Sequence, residues 1–213
     1  MQVESTKFVK SSIILRSISR KNAVKLVELY HYSHAIPANC SLFLGVYFNS
    51  ILSGCICFGE SVGRRMKEIV LGTKRGEYLE LVRLALSPKM PKNSESRTIA
   101  VAIKLIRKRY TYVKWLVSFA DENENHLGII YQATNWLYTG KGGGTYLFTK
   151  GGKKYHQRNI AEVKQRYELT NDDLIKKGFE IKRLKPKHRY MYFIHKDQFN
   201  NFTGKVYDYP KNI

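Results

Sequence analysis

Residues 78–120 read, in succession, YLELVRLALS, PKMPKNSES, RTIAVAIKLIRKRY and TYVKWLVSFA. The first block is a strand, Tyr78 to Ser87. Leu79, Leu81, Leu84 and Leu86 supply its apolar side chains, and Pro88 ends it. A hydroxyl-rich loop, Lys89 to Ser96, follows. Ile99, Ala102, Ile103 and Ile106 recur at helical spacing and predict a helix over Arg97–Tyr110, capped by Ser94 or Ser96. Its other face carries Lys104, Arg107, Lys108 and Arg109. Lys114–Ala120 is a second strand, ended by Asp121. Strand, helix and strand in that order make a parallel crossover. The helix start offers backbone N–H groups to an anion, such as the diphosphate of a nucleotide cofactor, with Arg83 or Arg97 adding charge. A plain helix cap accounts for the same residues.

Upstream, Ser12–Ser17 reads as a strand, and Ser19 or Asn22 caps a helix reaching Tyr30. The loop His31–Pro37 is dense in titratable and hydroxyl groups. Ser41–Phe48 and Ile51–Phe58 form a hairpin about Asn49-Ser50. The polar, basic stretch Gly59–Gly76 reads as a long mobile loop. Downstream, Asn123–Thr134 reads as a helix, Trp136 begins a strand, and Thr145–Thr149 is a strand between glycine-rich segments. Gln157–Gln165 and Asn171–Lys177 read as short helices. Phe179–Leu184 and Tyr190–Ile194 look like a closing hairpin, and the last dozen residues like a tail. The expected architecture is α/β: one mixed, twisted sheet flanked by helices, in a single domain over 1–213 with a basic elaboration from about 140 to 213.

The 213 residues are 43% hydrophobic and 25% charged, which excludes a disordered or collagen-like chain. With 37 Lys and Arg against 17 Asp and Glu, the net charge of +20 points to a polyanionic partner, nucleic acid first and an anionic membrane surface second. No apolar stretch approaches a membrane span, and no basic amphipathic helix favours a membrane surface. Met1–Lys10 is polar, without a secretory core, so a cytoplasmic protein is expected. Cys40, Cys55 and Cys57 contain no Cys-x-x-Cys pair; Cys55 and Cys57 share one strand face and read as small core residues. The oligomeric state is left open, a homodimer included.

Some residues stand out by their own chemistry. His31 and Tyr32 follow a helix, Asp121 ends a strand, and Tyr131 lies two turns into the next helical stretch. An imidazole, a carboxylate and two phenols suit either a hard redox ion such as iron or a hydrogen-bonded network. His31 or Asp121 could serve as a general base. Lys150, Lys153, Lys154, His156, Arg158, Lys187, His188 and Arg189 are candidate DNA phosphate contacts. Tyr32, Tyr131 and Trp136 are candidate walls for an unstacked base.

The order of elements resembles the N-acetyltransferase-like (GNAT) fold, whose helix after the fourth strand binds the pyrophosphate of acyl-coenzyme A. That fold's glycine-rich loop is replaced here by Lys89–Arg97. A narrower resemblance rests on five strings in order: Tyr30–His34, Glu80–Leu84, Ser118–Asp121, Tyr131–Gly140 and Lys187–Tyr190. Together they resemble the bacteriophage Mom family of DNA-modification proteins. The resemblance implies a GNAT-like transferase that converts adenine in phage DNA to N6-carbamoylmethyladenine and so shields it from host restriction enzymes. It further implies that His31, Tyr32, Asp121 and Tyr131 act in catalysis or iron binding, and that Arg83 and Ser96 belong to an acetyl-coenzyme A site. Such a product carries a CH₂ on N6, which simple attack on a thioester carbonyl does not yield, so bond formation at carbon calls for a redox metal or a different small-molecule donor. The partner that the resemblance implies is double-stranded DNA in the bacterial host cytoplasm. The alternatives are a conventional acyltransferase acting on an RNA or protein amine, and a non-catalytic DNA-binding domain.

Overall fold

Alternating apolar residues build the first strands of the computed structural model, which describes residues 13–61, 66–142, 145–155 and 157–211. Strand β1 (Ile13–Ser17) buries Ile13 and Leu15 and exposes the residues between them. Helix α1 (Arg20–Tyr30) is capped by the Ser19 side chain, which accepts from the Asn22 N–H, and buries Ala23 and Val27. Strands β2 (Cys40–Phe48) and β3 (Ile51–Gly59) form the expected hairpin, with Asn49 and Ser50 at φ 48° and 66° as its tight turn requires. Cys55 and Cys57 are buried with Ala23, Val27 and Ala85, as small core residues. The segment expected as a mobile loop instead holds a short helix, α2 (Met66–Ile69). Met66 and Val70 are buried there beside Tyr78, Trp115 and Met191.

The crossover is present. Strand β4 (Tyr78–Leu86), helix α3 (Ser94–Arg109) and strand β5 (Trp115–Ala120) place β4 and β5 parallel. Ile99, Ala102, Ile103 and Ile106 are buried as their spacing predicts. The cap differs from expectation. Asn93, at φ 65°, precedes the helix without a side-chain cap, while the Ser94 and Ser96 hydroxyls donate to the Pro91 and Asn93 carbonyls.

The helix expected over Asn123–Thr134 is broken. A 3-10 turn spans Glu122–Glu124, and only α4 (Ile129–Gln132) is α-helical. Asn125 (φ 57°) and Gly128 (φ 79°) take left-handed conformations between them. A Cβ on Gly128 would meet the Tyr190 ring at 2.4 Å, so glycine is required there on two counts.

Strands β6 (Leu137–Lys141), β7 (Thr145–Lys150) and β8 (Lys153–Tyr155) follow, then α5 (Gln157–Arg166), α6 (Asn171–Lys176), β9 (Glu180–Leu184) and β10 (His188–Phe193). The expected closing hairpin does not form. Strand β10 inserts between β5 and β6, and β9 pairs with β7. The result is a seven-stranded sheet, β1-β2-β3-β4-β5-β10-β6, and a three-stranded sheet, β8-β7-β9. The larger is the mixed, helix-flanked α/β sheet expected from the sequence. The smaller has its own core of Phe148, Ile160 and Leu174. The expected tail is docked: Phe202 pairs with Val70, Tyr207 with Tyr138, and the Tyr209 hydroxyl donates to the Trp136 carbonyl. No helix among the described residues is long and apolar enough to cross a membrane.

Candidate active site

Strands β4 and β5 pair over only three positions, from Tyr78–Trp115 to Glu80–Val117. The reason lies in β4. Cys57 of β3 faces Arg83 and Phe58 faces Leu81, so Val82 is an extra residue that bulges the strand. Beyond Glu80, β4 stays with β3 and β5 with β10, and the sheet parts. Ser118 Oγ spans the start of the gap, 2.8 Å from the Leu81 carbonyl and 2.8 Å from the Tyr131 hydroxyl. A carbonyl only accepts, so the single serine proton goes to Leu81, and the Tyr131 phenol donates to Ser118.

A cleft of about 560 Å³ opens from this gap. Glu80 and Arg83 of β4, Ser118 of β5, Asp121 just after that strand, and Tyr131 of α4 line it, together with His31 and Tyr32, which follow α1. Four of these, His31, Tyr32, Asp121 and Tyr131, come from three separate stretches of the sequence and were expected to act together. His126 and Lys187 complete the rim. Ligands of open α/β sheets collect at such a divergence beyond the strand ends.

The environment sorts these groups. Burial draws the His31 imidazole down to about 4, helped by Arg83, His126 and His34, so the ring is neutral near pH 7. Burial pushes the Tyr131 phenol up to about 12, and it stays protonated. Burial also raises the Tyr32 phenol and the Glu80 carboxyl, the latter in spite of a Ser61 hydrogen bond, Arg83 and Lys187. For Asp121, burial pushes the carboxyl up. Hydrogen bonds from Lys187 (Nζ–Oδ2 2.7 Å) and Asn123 outweigh it and hold the group below the usual range. Glu80 is the residue that sequence reasoning missed. A single carboxylate between Leu79 and Leu81 in an apolar strand was the available signal.

Tyr32 is 49% exposed at the mouth. It stacks on His31 at 4.3 Å and meets His126 edge-on at 5.7 Å, forming an aromatic wall. Tyr131 forms part of the floor. Trp136, expected as a third wall, is instead fully buried in the main core.

The expected coenzyme site is not assembled as anticipated. Arg83 donates through Nε to the Ala35 carbonyl (2.8 Å) and through Nη1 to the Val82 carbonyl (2.7 Å). It thus satisfies the bulge carbonyl and ties the loop after His31 to β4. Ser96 is outside the cleft lining, whereas Glu95, an acid in the first turn of α3, is within it. Arg83 is thus engaged with backbone carbonyls, and Ser96 lies apart from the cleft in which the other expected residues meet. No cluster of three or more His, Cys, Asp or Glu among the described residues could hold a metal ion. Within the expected set the Lys187 ammonium sits on Asp121, and the Tyr131 phenol is protonated and spent on Ser118.

Of the expected DNA contacts, Lys187 joins the cleft. Lys150, Lys153 and Lys154 are exposed on the β7–β8 hairpin, whose turn is Gly151-Gly152. Two expected contacts are corrected. His188 is 2% exposed, its Nδ1 3.0 Å from the Tyr138 hydroxyl, and it offers no surface to a phosphate. Arg189 is turned inward, donating to the hydroxyl and carbonyl oxygens of Thr139. His156 lies outside the described residues, and Arg158 is placed only as a position in α5.

Comparison with known proteins adds the following. A family model described as the Mom protein family matches residues 12–211. A protein of Escherichia phage Mu, named methylcarbamoylase mom, is 33% identical over 204 residues, covering 92% of this chain and 83% of that protein. Among solved structures, aminoglycoside acetyltransferase AAC(6')-Ib with ribostamycin and coenzyme A aligns at a TM-score of 0.48 and 11% identity, covering 90% of this chain and 98% of that one. A Bacillus subtilis acetyltransferase in complex with CoA aligns at 0.48 and 11%, over 86% and 99% of the two chains. An N-acetyltransferase from Staphylococcus aureus Mu50 aligns at 0.46 and 14%, over 86% and 98%.

Proposed function

The chain belongs to the Mom protein family, and from that premise we propose that it is a phage DNA-modifying transferase that converts adenine to N6-carbamoylmethyladenine and protects the DNA from host restriction. The observation that carries this reading is the cleft between the parted strands, which gathers His31, Tyr32, Glu80, Asp121 and Tyr131 beside the cationic side chains of Arg83 and Lys187.

The adenine N6 amine is held in base pairing, so the base leaves the stack at a cost of a few kcal/mol. Half-exposed Tyr32 supplies a ring face for it at the cleft mouth. Lys187 at the cleft and the exposed Lys150, Lys153 and Lys154 attract the DNA backbone by charge, in the bacterial cytoplasm where phage DNA is handled. Glu80, with its raised carboxyl, is the group suited to take the proton that N6 loses as it bonds to carbon. Asp121 stays ionised beside Lys187 and accepts a hydrogen bond from the amine, orienting it. Tyr131 and Ser118 hold the floor together. The carbon comes from a small-molecule donor whose carbamoylmethyl CH₂ carries a leaving group: as the N6–C bond forms, the bond from that CH₂ to the leaving group breaks and the group departs with the electron pair.

The test is nucleoside mass spectrometry of plasmid DNA from expressing cells. An adduct of carbamoylmethyl mass on deoxyadenosine is expected, and its loss in a folded Asp121→Ala variant. Unmodified DNA, or an acetyl adduct on RNA or protein instead, overturns the reading.

A further inference from the structure

The His31 ring is held from its own loop. The backbone N–H of Ser33 donates to Nδ1 at 3.1 Å, and the Ser33 hydroxyl lies 2.8 Å from the same nitrogen. The hydroxyl has a choice, because the Ala35 carbonyl is 3.3 Å away. A backbone N–H has none: it can only donate, so Nδ1 must carry a lone pair. An imidazolium would bring two N–H groups head to head, so that form is excluded as well. A neutral ring has one proton, and it is left on Nε2.

The ring orientation is fixed from two sides. Tyr32 stacks on His31 with 28° between the planes, and Arg83 anchors the loop at Ala35. With Nδ1 turned to the loop, Nε2 is the nitrogen that remains for the cleft His31 lines, and it has no hydrogen-bond partner among the described residues.

We propose that His31 serves the cleft as a neutral hydrogen-bond donor through Nε2–H, with Ser33 as the positioning residue that sets this tautomer. It does not receive the substrate proton, and its Nε2 is not a metal ligand. The inference rests on the reading of the cleft as a transferase site. What Nε2–H meets is an acceptor atom of the reacting pair: the carbonyl oxygen of the carbamoylmethyl group or a ring nitrogen of adenine. A fixed donor aimed where negative charge grows lowers a barrier without reorganising.

The experiment is ¹⁵N NMR of the full chain with labelled histidine at neutral pH, with His31 assigned by the His31→Gln variant. We expect Nδ1 to resonate as an unprotonated nitrogen and Nε2 as a protonated one. The reverse pattern, or two protonated nitrogens, overturns the proposal. Ser33→Ala keeps the backbone N–H and should keep the tautomer; a switch to Nδ1–H overturns the backbone assignment. Addition of a deoxyadenosine-containing single-stranded oligonucleotide, or of acetamide, should shift Nε2, and the one that does names the acceptor; no shift with either overturns the donor role. In the adduct assay, His31→Ala should lose about 10²–10³-fold, whereas His31→Gln, which offers an N–H but takes no proton, should stay within about tenfold of wild type. Equal losses overturn the donor role. Should wild type form no adduct, the functional reading fails, while the NMR pattern still decides the tautomer.

Discussion

The two sheets of this molecule use charge in opposite ways. Around the cleft of the seven-stranded sheet, ionisable groups are partly or wholly buried and lean on one another: Asp121 on Lys187, Tyr131 on Ser118, Arg83 on two carbonyls. On the three-stranded sheet, Lys150, Lys153 and Lys154 stand in solvent, with Lys150 over the Phe179 ring and Lys153 over the Tyr155 ring. Chemistry needs groups whose protonation differs from their behaviour in water, which takes burial and specific partners. Attraction of a polyanion needs only the number and sign of exposed charges. Position therefore matters to the atom in the cleft and only to the surface on the hairpin.

The sharpest way to break this contrast is Glu80→Gln. Adduct formation should fall about 10²–10⁴-fold, as for loss of a general base. Stability should move the other way. The folded-state carboxyl is raised, so its favourable contribution is present below the unfolded value and is lost as pH rises through the folded value. Above the ordinary carboxylate range Glu80 is therefore a cost to the fold that the amide removes. Thermal melts should show the variant's advantage growing as pH rises above the ordinary carboxylate range. A variant less stable than wild type at pH 7 sinks this account.

Next comes Gly128→Ala, which forces a left-handed alanine against the Tyr190 ring. A loss of about 2–5 kcal/mol is expected in urea unfolding, with Tyr131 and His126 displaced and activity reduced. A neutral substitution would mean the cleft wall is soft.

Replacing Lys150, Lys153 and Lys154 together with alanine tests the other sheet. DNA affinity should weaken similarly for all sequences, and the slope of log affinity against log salt should flatten by up to about 3. Folding and the cleft chemistry on short oligonucleotides should be unaffected. An unchanged slope places the DNA on another face.

The smallest effect concerns Asp121. Its carboxyl is depressed, so the stability it contributes is present above the ordinary carboxylate range and lost as pH falls through the folded value. The partner ammonium is partly exposed, which limits the pair to about 1 kcal/mol or less. Melting curves of Asp121→Asn and wild type should converge on acidification.

Much of the fold was legible from local pattern. The Tyr78–Ala120 crossover, the Asn49-Ser50 hairpin and the α1 cap at Ser19 each follow from periodicity or turn chemistry within a few residues. Two errors were also local. Asn125 and Gly128 are helix breakers inside the stretch read as one helix. Phe202, Tyr207 and Tyr209 are large side chains with no reason to stand free in a tail. The exchange of partners by β9 and β10 was beyond reach, because an antiparallel strand carries no mark of which neighbour it will join.

The sequence by itself determined the α/β class, the positive field and the segments that hold His31, Tyr32, Asp121 and Tyr131, since these depend on residue identity and short-range spacing. Only the tertiary structure decided that the Val82 bulge parts β4 from β5 and that Glu80 faces the opening. It also decided that Arg83 is spent on backbone carbonyls, and that His188 is core rather than surface. Those outcomes turn on which chain segments meet across the sheet. Burial, hydrogen-bond partners and protonation are properties of that meeting and of no residue alone.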